Sequence, residues 1–132
     1  MIDDVRAIVD GELISEGEDL SQDITMACGA DLMSDVLAFT HSGTLLLTGL
    51  TNPQVVRTAE MAGIAAIVFV RGKLPPPQTI ALAQEKHIPL LATQFTLYES
   101  CGRLYQAGLP SCGLFDLTSE HWRERFDTSS DQ

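Results

Sequence analysis

Three stretches of the chain are apolar without a break: residues 44–48 (TLLLT), 65–70 (AAIVFV) and 89–93 (PLLAT). A strand with one wet face alternates apolar and polar residues. A continuous run is the mark of a strand covered on both faces, as in a parallel sheet under helices. Between these runs the period becomes helical. Asn52 is placed to cap a helix with Pro53 at its first position, and the pattern runs to about Gly63 with Val55, Val56, Ala59 and Ala62 on one face. A second helix is predicted from the prolines at 75–77 to about His87. A third starts at Thr96, with Glu99 completing a capping box and Leu97, Cys101, Leu104 and Tyr105 forming its apolar stripe, and Gly108 is its stop.

The first third of the chain repeats the theme more weakly. Residues 5–9 read as a short strand, 11–18 as a glycine- and acid-rich turn region, and 24–28 as another strand. Asp31 then caps a helix to about Phe39. The order β, β, α, β, α, β, α, β, α predicts an α/β fold, a three-layer sandwich with a mostly parallel central sheet and right-handed crossovers. The 132 residues fit one domain, predicted over 1–109, followed by a tail over 110–132. In that tail Trp122 and Phe126, four apart, are expected to dock a short helix, and the polar end 127–132 is expected to fray.

Charge changes the picture more than composition does. Eighteen acidic residues against eight basic ones give a formal net charge of -10, which repels nucleic-acid phosphates and anionic lipid. Neither nucleic acid nor a membrane is an expected partner, and no apolar run approaches the roughly 20 residues that span a bilayer. The start, Met1-Ile2-Asp3-Asp4, has no basic region of a secretory signal, so the expected compartment is the cytoplasm. The first 35 residues carry ten acids and one base, Arg6, so the cations further along stand out.

In open parallel sheets ligands bind beyond the carboxyl ends of the strands. Here those ends read Cys28-Gly29-Ala30-Asp31, Thr48-Gly49-Leu50-Thr51-Asn52, Arg71-Gly72-Lys73 and Thr93-Gln94-Phe95-Thr96. Thr48, Gly49, Thr51 and Asn52 lie before a helix N-terminus, Arg71 and Lys73 flank Gly72, and Arg57 lies one turn into the helix. Exposed amides, a helix dipole and cations suit a phosphate or carboxylate. The same cations also suit a merely solvated loop. Gly72-Lys73 is followed by Leu74 and no GxGxxG occurs, so neither a phosphate-loop nucleotide site nor a dinucleotide fold is indicated.

Catalytic chemistry finds little support. His41, His87 and His121 stand in a turn, at a helix end and in the tail, and none lies on a strand-end loop beside Ser or Cys. Cys28, at a strand end before a helix, is either a small buried hydrophobe or a thiol with a lowered pKa; Cys101 belongs to a helix stripe. Cys28, Cys101 and Cys112 show no CxxC spacing and are expected as reduced thiols, with no metal site and no cofactor. The paired acids Asp31 and Asp35 read as solvated surface.

The residues 44–49, the helix 53–63, the strand 65–70, Arg71-Gly-Lys73 and the closing Ile88-Pro-Leu-Leu-Ala-Thr93 together resemble the DRTGG domain family over about residues 5–109. The resemblance implies a fold similar to the N-terminal domain of HPr kinase/phosphorylase. It also implies a regulatory or dimerising role of the kind such domains have inside phosphate acetyltransferases and between CBS domains of regulated pyrophosphatases. Where the family shows Gly-Asp-Arg this chain reads Gly49-Leu50-Thr51, and where it shows Thr-Gly-Gly this chain reads Val70-Arg71-Gly72. Only the glycines persist, so a ligand mode using that Asp and Arg does not transfer. The segments 31–37 and 69–73 look more like a stand-alone subgroup encoded beside iron–sulfur hydrogenase or related redox genes. The expectation is a non-catalytic regulatory or assembly module, homodimeric, serving a redox or metabolic partner complex through surface residues such as Phe39, Trp122 and Phe126. The alternative is a sensor of a small anion or nucleotide at residues 48–52 and 71–73, and a third reading is a small enzyme of unknown reaction.

Overall fold

The computed structural model describes residues 1–15 and 17–112. In chain order the elements are α1 (Ile2–Ile8), β1 (Glu12–Leu13), β2 (Met26–Gly29), α2 (Met33–Phe39), β3 (Thr44–Thr48), α3 (Pro53–Ala62), β4 (Ala66–Phe69), α4 (Pro77–Glu85), β5 (Leu90–Ala92) and α5 (Leu97–Gln106). The strands form one sheet in the order β1-β5-β4-β3-β2. The pairs β2–β3, β3–β4 and β4–β5 are parallel, and β1 adds antiparallel to β5.

The uninterrupted apolar runs have a direct cause. Successive strand residues point to opposite faces, and both faces are covered. Leu46, Ile67, Phe69 and Leu90 pack under α2, α3 and α4 with Val36, Val55, Val56, Ala59 and Ala83. Their strand neighbours Leu45, Leu47, Ala66, Val68 and Leu91 pack on the other face with Ile2, Val5 and Val9 of the N-terminal segment and Leu104 of α5. The result is the three-layer α/β sandwich that the alternation of elements predicts.

The middle and end of the chain follow their local signals. Pro53 opens α3, and Gly63 ends it at φ 74, where its amide reaches the Glu60 carbonyl and that of Ile64 the Ala59 carbonyl. Thr96 caps α5 by accepting from the Glu99 amide at 3.2 Å. Asn52 occupies the N-cap position of α3, but its side chain makes no capping bond.

Four expectations are corrected. Residues 5–8 belong to a helix and Val9 is its C-cap, so 5–9 is not a strand. Ile2, Val5 and Val9 recur at helical spacing and are buried, Asp3 and Asp4 favour the helix N-terminus, and Arg6 favours its end. Within the turn region 11–18, Glu12 and Leu13 pair with Ala92 and Leu91 and form the edge strand β1. Asp31 does not cap α2: the N-cap is Leu32, and the Asp31 carboxylate is engaged elsewhere, as described below. Tyr105 does not belong to the buried stripe of α5. Leu97, Cys101 and Leu104 pack on the sheet, whereas Tyr105 is 70% exposed.

Residues 110–112 lie along the outer edge of β2. Ala27 and Ser111 form a parallel bridge, the Ala27 amide donates to the Pro110 carbonyl, and the Cys112 amide donates to the Ala27 carbonyl, both at 2.9 Å. Trp122, Phe126, His121 and the helix expected around them lie outside the described residues.

Candidate functional site: the carboxyl rim of the sheet

Because β2 to β5 run parallel, their carboxyl ends meet at one rim. The helices α2, α3 and α4 return along one face, and α5 leaves β5 along the other. Between β4 and β5 the connections therefore diverge to opposite faces, which is the crevice where ligands of open α/β sheets bind. A pocket of about 360 Å³ opens there, lined by Asp10, Gly11, Glu12, Gly72, Leu74, Ala92, Thr93 and Gln94.

The loop after β4 is a tight turn. The Lys73 amide closes on the Val70 carbonyl at 3.3 Å, with Arg71 at φ 63 and Gly72 at φ 70. Two left-handed residues in succession define a type I′ turn, which Gly72 accepts at no steric cost and Arg71 adopts under constraint. The constraint comes from the β5–α5 loop. Arg71 donates its amide to the Phe95 carbonyl and Gly72 donates to the Thr93 carbonyl, both at 2.8 Å. Gly72 also lies under Gln94: a Cβ there would stand 2.6 Å from Gln94 Oε1. Thr93 is fixed in turn, with its hydroxyl donating to the Val9 carbonyl at 2.6 Å and accepting from the Phe95 amide at 3.2 Å. The Arg103 guanidinium sits 4.3 Å from the centre of the Phe95 ring, held by Glu99 at 2.7 Å.

The neighbouring loop after β3 holds an anion of its own. One Asp31 oxygen accepts from the Thr48 hydroxyl and from the Gly49 amide, each at 2.8 Å, and the Thr48 oxygen accepts from the Leu50 amide at 3.2 Å. The Thr51 carbonyl accepts from Thr79 of α4 at 2.7 Å. Asp31 is exposed, as the sequence reading has it, and its carboxylate also ties the β2–α2 loop to the β3–α3 loop, a role that reading does not contain.

Of the proposed ligand residues, Thr48 ends β3, Gly49, Thr51, Asn52, Arg71, Gly72 and Lys73 lie on the two adjacent loops, and Arg57 stands within α3; the loop amides are largely occupied. Thr48 is buried and bonded to Asp31, and the amides of Gly49, Arg71 and Gly72 have internal partners. The side chains of Asn52, Arg57, Arg71 and Lys73 are exposed. Among the described residues neither Arg71 nor Lys73 forms an ion pair, whereas Lys86 pairs with Glu60 at 3.2 Å and Arg103 with Glu99. Of the other residues that line the pocket, the sequence reading names Thr93 and Gln94 as a strand end without proposing them as ligands, and it passes over Asp10 and Glu12. Their signal was weak: Thr93 and Gln94 follow a buried strand, but Asp10 and Glu12 join them only through the antiparallel return of β1.

Two further pockets border β2. One, of about 320 Å³, lies between α5 and the 110–111 segment and is lined mainly by Tyr98, Cys101, Leu104, Tyr105 and Leu109. The other, of about 270 Å³, includes Cys28, Asp35, Phe39 and Cys112. The helix that follows β2 does not activate Cys28. Burial above all, then the neighbouring Cys112 thiol, push its pKa up to about 12, the reverse of what its position before a helix suggests. Among the described residues no three His, Cys, Asp or Glu side chains are arranged to hold a metal ion, and no helix is long and apolar enough to cross a membrane.

The model of the DRTGG domain matches residues 4–107. The chain belongs to the DRTGG domain family. No curated protein matches it. Among solved structures, this DRTGG domain is similar to the CBS and DRTGG domains of the regulatory region of a Clostridium perfringens pyrophosphatase, complexed with its activator diadenosine tetraphosphate. The TM-score is 0.62 at 15% identity, over 83% of this chain and 47% of that one. The likeness shows the shared fold, and the chain spans about half the length of that regulatory region.

Proposed function

We propose that this DRTGG domain is a non-catalytic regulatory module that senses a nucleotide-type ligand at the β4–β5 crevice. The observation that carries the reading is the turn at Gly72. It joins two exposed cations without ion-pair partners among the described residues to a pocket lined by two carboxylates, a hydroxyl and an amide. Phosphates suit Arg71 and Lys73, which meet them through side chains because the turn amides are occupied. A base with N–H donors suits Asp10, Glu12 and Gln94. A simple inorganic anion uses only half of this site and is repelled by its acidic wall. The pyrophosphatase region of the same fold carries a nucleotide activator, which supports the ligand class.

The test is thermal stability against adenosine triphosphate and diadenosine tetraphosphate. A ligand at a hundred times its Kd stabilises by about 2.7 kcal/mol. The expected result is a rise in Tm that is lost in the Arg71→Ala, Lys73→Ala double variant. A double variant that responds like the parent contradicts the site.

A specific observation also favours self-association. Helix α5 presents Tyr98 and Tyr105, 90% and 70% exposed, beside the 320 Å³ apolar pocket. Exposed aromatics around an apolar hollow are typical of an interface. We expect a homodimer by sedimentation that Tyr98→Ser with Tyr105→Ser turns into a monomer; a monomeric parent excludes it. On the resemblance to stand-alone DRTGG chains, the regulated partner is a cytoplasmic redox complex. Co-purification with redox subunits tests this, and recovery of the domain alone argues against it.

A further inference from the structure

We propose that Cys28 and Cys112 form a reversible disulfide that staples the C-terminal segment to the free edge of the sheet. This does not depend on the nucleotide reading and concerns the opposite edge of the molecule. The first observation is register. Ala27 stands opposite Ser111 in a parallel bridge, so one step further along Cys28 stands beside Cys112. Adjacent strands lie about 4.8 Å apart, within the separation of about 4.4–6.8 Å that a disulfide spans between α-carbons. In a parallel pair, neighbours in register point to the same face. Both cysteines line the 270 Å³ pocket next to Asp35 and Phe39, and through it they are reached from solvent.

The second observation is the separation of the third cysteine. Gly29 follows Cys28 and faces the other side of the sheet, where a Cβ would stand 2.7 Å from the Cys101 Sγ. Cys101 packs there with Leu97 and Leu104, so the sheet lies between it and the pair. The bridge is therefore specific to Cys28 and Cys112. The third observation is where the chain goes. Residues 110–112 are held to β2 by two backbone hydrogen bonds, and twenty residues follow them. A covalent link at Cys112 fixes residues 110–112 along β2.

The chemistry is thiol–disulfide exchange with a low-molecular-weight disulfide. The Cys112 thiol loses its proton and attacks one sulfur of the small disulfide. The S–S bond of the reagent breaks, one small thiol leaves, and Cys112 carries a mixed disulfide. Cys28 then loses its proton and attacks the Cys112 sulfur, and the second small thiol leaves. Two electrons pass from the protein pair to the reagent, which ends as two thiols. Cys28 suits the second step rather than the first. Its thiol is held protonated by burial and then by the Cys112 thiol, and the latter influence disappears once Cys112 is in the mixed disulfide.

The full chain is incubated with oxidised glutathione and its mass and peptide map are read. The expected product has lost two hydrogens, shows a Cys28–Cys112 linked peptide, and regains both thiols in dithiothreitol. Cys101→Ser should give the same product, and Cys28→Ser and Cys112→Ser should each abolish it. Retention of glutathione on separate cysteines overturns the proposal. So does a link that includes Cys101 or joins two chains. Because Cys101→Ser keeps both members of the pair, the proposal stays testable if Cys28→Ser fails to fold.

Discussion

Asp31 illustrates how one side chain sets the local order of the rim. Its carboxylate satisfies a buried hydroxyl and a backbone amide at 2.8 Å each, and the partner, Thr48, lies seventeen residues away in sequence. Asp31→Ala leaves the proton of that buried hydroxyl without its acceptor and should cost about 1–3 kcal/mol in chemical denaturation; Asp31→Asn keeps the accepting oxygen and should cost less. Nothing near Asp31 in the chain announces this pairing. Spacing to Asp35 suggests only an acidic face, because the contact depends on β2 and β3 lying side by side. Ser100 is the opposite case, a buried hydroxyl on α5 with no hydrogen-bond partner among the described residues. Ser100→Ala should stabilise the fold by about 1 kcal/mol, and a loss of stability would show that the hydroxyl has an unrecognised role. Cys28 supplies a kinetic check. With its pKa near 12, the neutral thiol persists to high pH. At pH 8 its alkylation should be at least about tenfold slower than that of free cysteine, and should rise steadily as pH approaches the folded-state pKa.

Strands of the inner sheet were legible in the sequence because both faces are buried and the apolar run has no gap. Leu46 of β3 is fully buried in the core that the sheet forms with α2, α3 and α4. Leu46→Ala should cost about 2–5 kcal/mol, measured as a shift in denaturation midpoint at unchanged slope. The ends of the chain were less legible. Helix α1 has seven residues, and in a five-residue window Val5 and the C-cap Val9 look like strand positions until Ile2 is included. Strand β1 has two residues, too few to show a period. Asn52, Pro53 and Gly63 punctuate α3 where expected because proline and glycine act through their own backbone geometry. The turn after β4 is legible only in part. Gly72 predicts a turn, but Arg71 at positive φ is held by the hydrogen bonds that the Arg71 and Gly72 amides donate to carbonyls of the β5–α5 loop. Gly72→Ala must adopt a left-handed backbone at about 1–2 kcal/mol and displace Gln94, so it should weaken both stability and ligand response.

At the scale of the whole molecule, topology makes the site. A sheet whose helices all returned on one face would have no crevice between its last two parallel strands. Here α4 and α5 lie on opposite faces, and the antiparallel return of β1 brings two carboxylates from the acidic N-terminal segment to the same opening. The sequence contains the cations, the acids and the glycine, but it does not place them together, because β1 joins β5 across nearly eighty residues of chain. The most direct test is an amide-resolved NMR titration of the labelled protein with adenosine triphosphate. The account predicts that shifts concentrate on Asp10, Gly11, Glu12, Gly72, Lys73, Leu74, Thr93 and Gln94. Shifts confined to the far end of the strands, around Ser42, Gly63 and Lys86, or an unchanged spectrum at millimolar nucleotide, would contradict it.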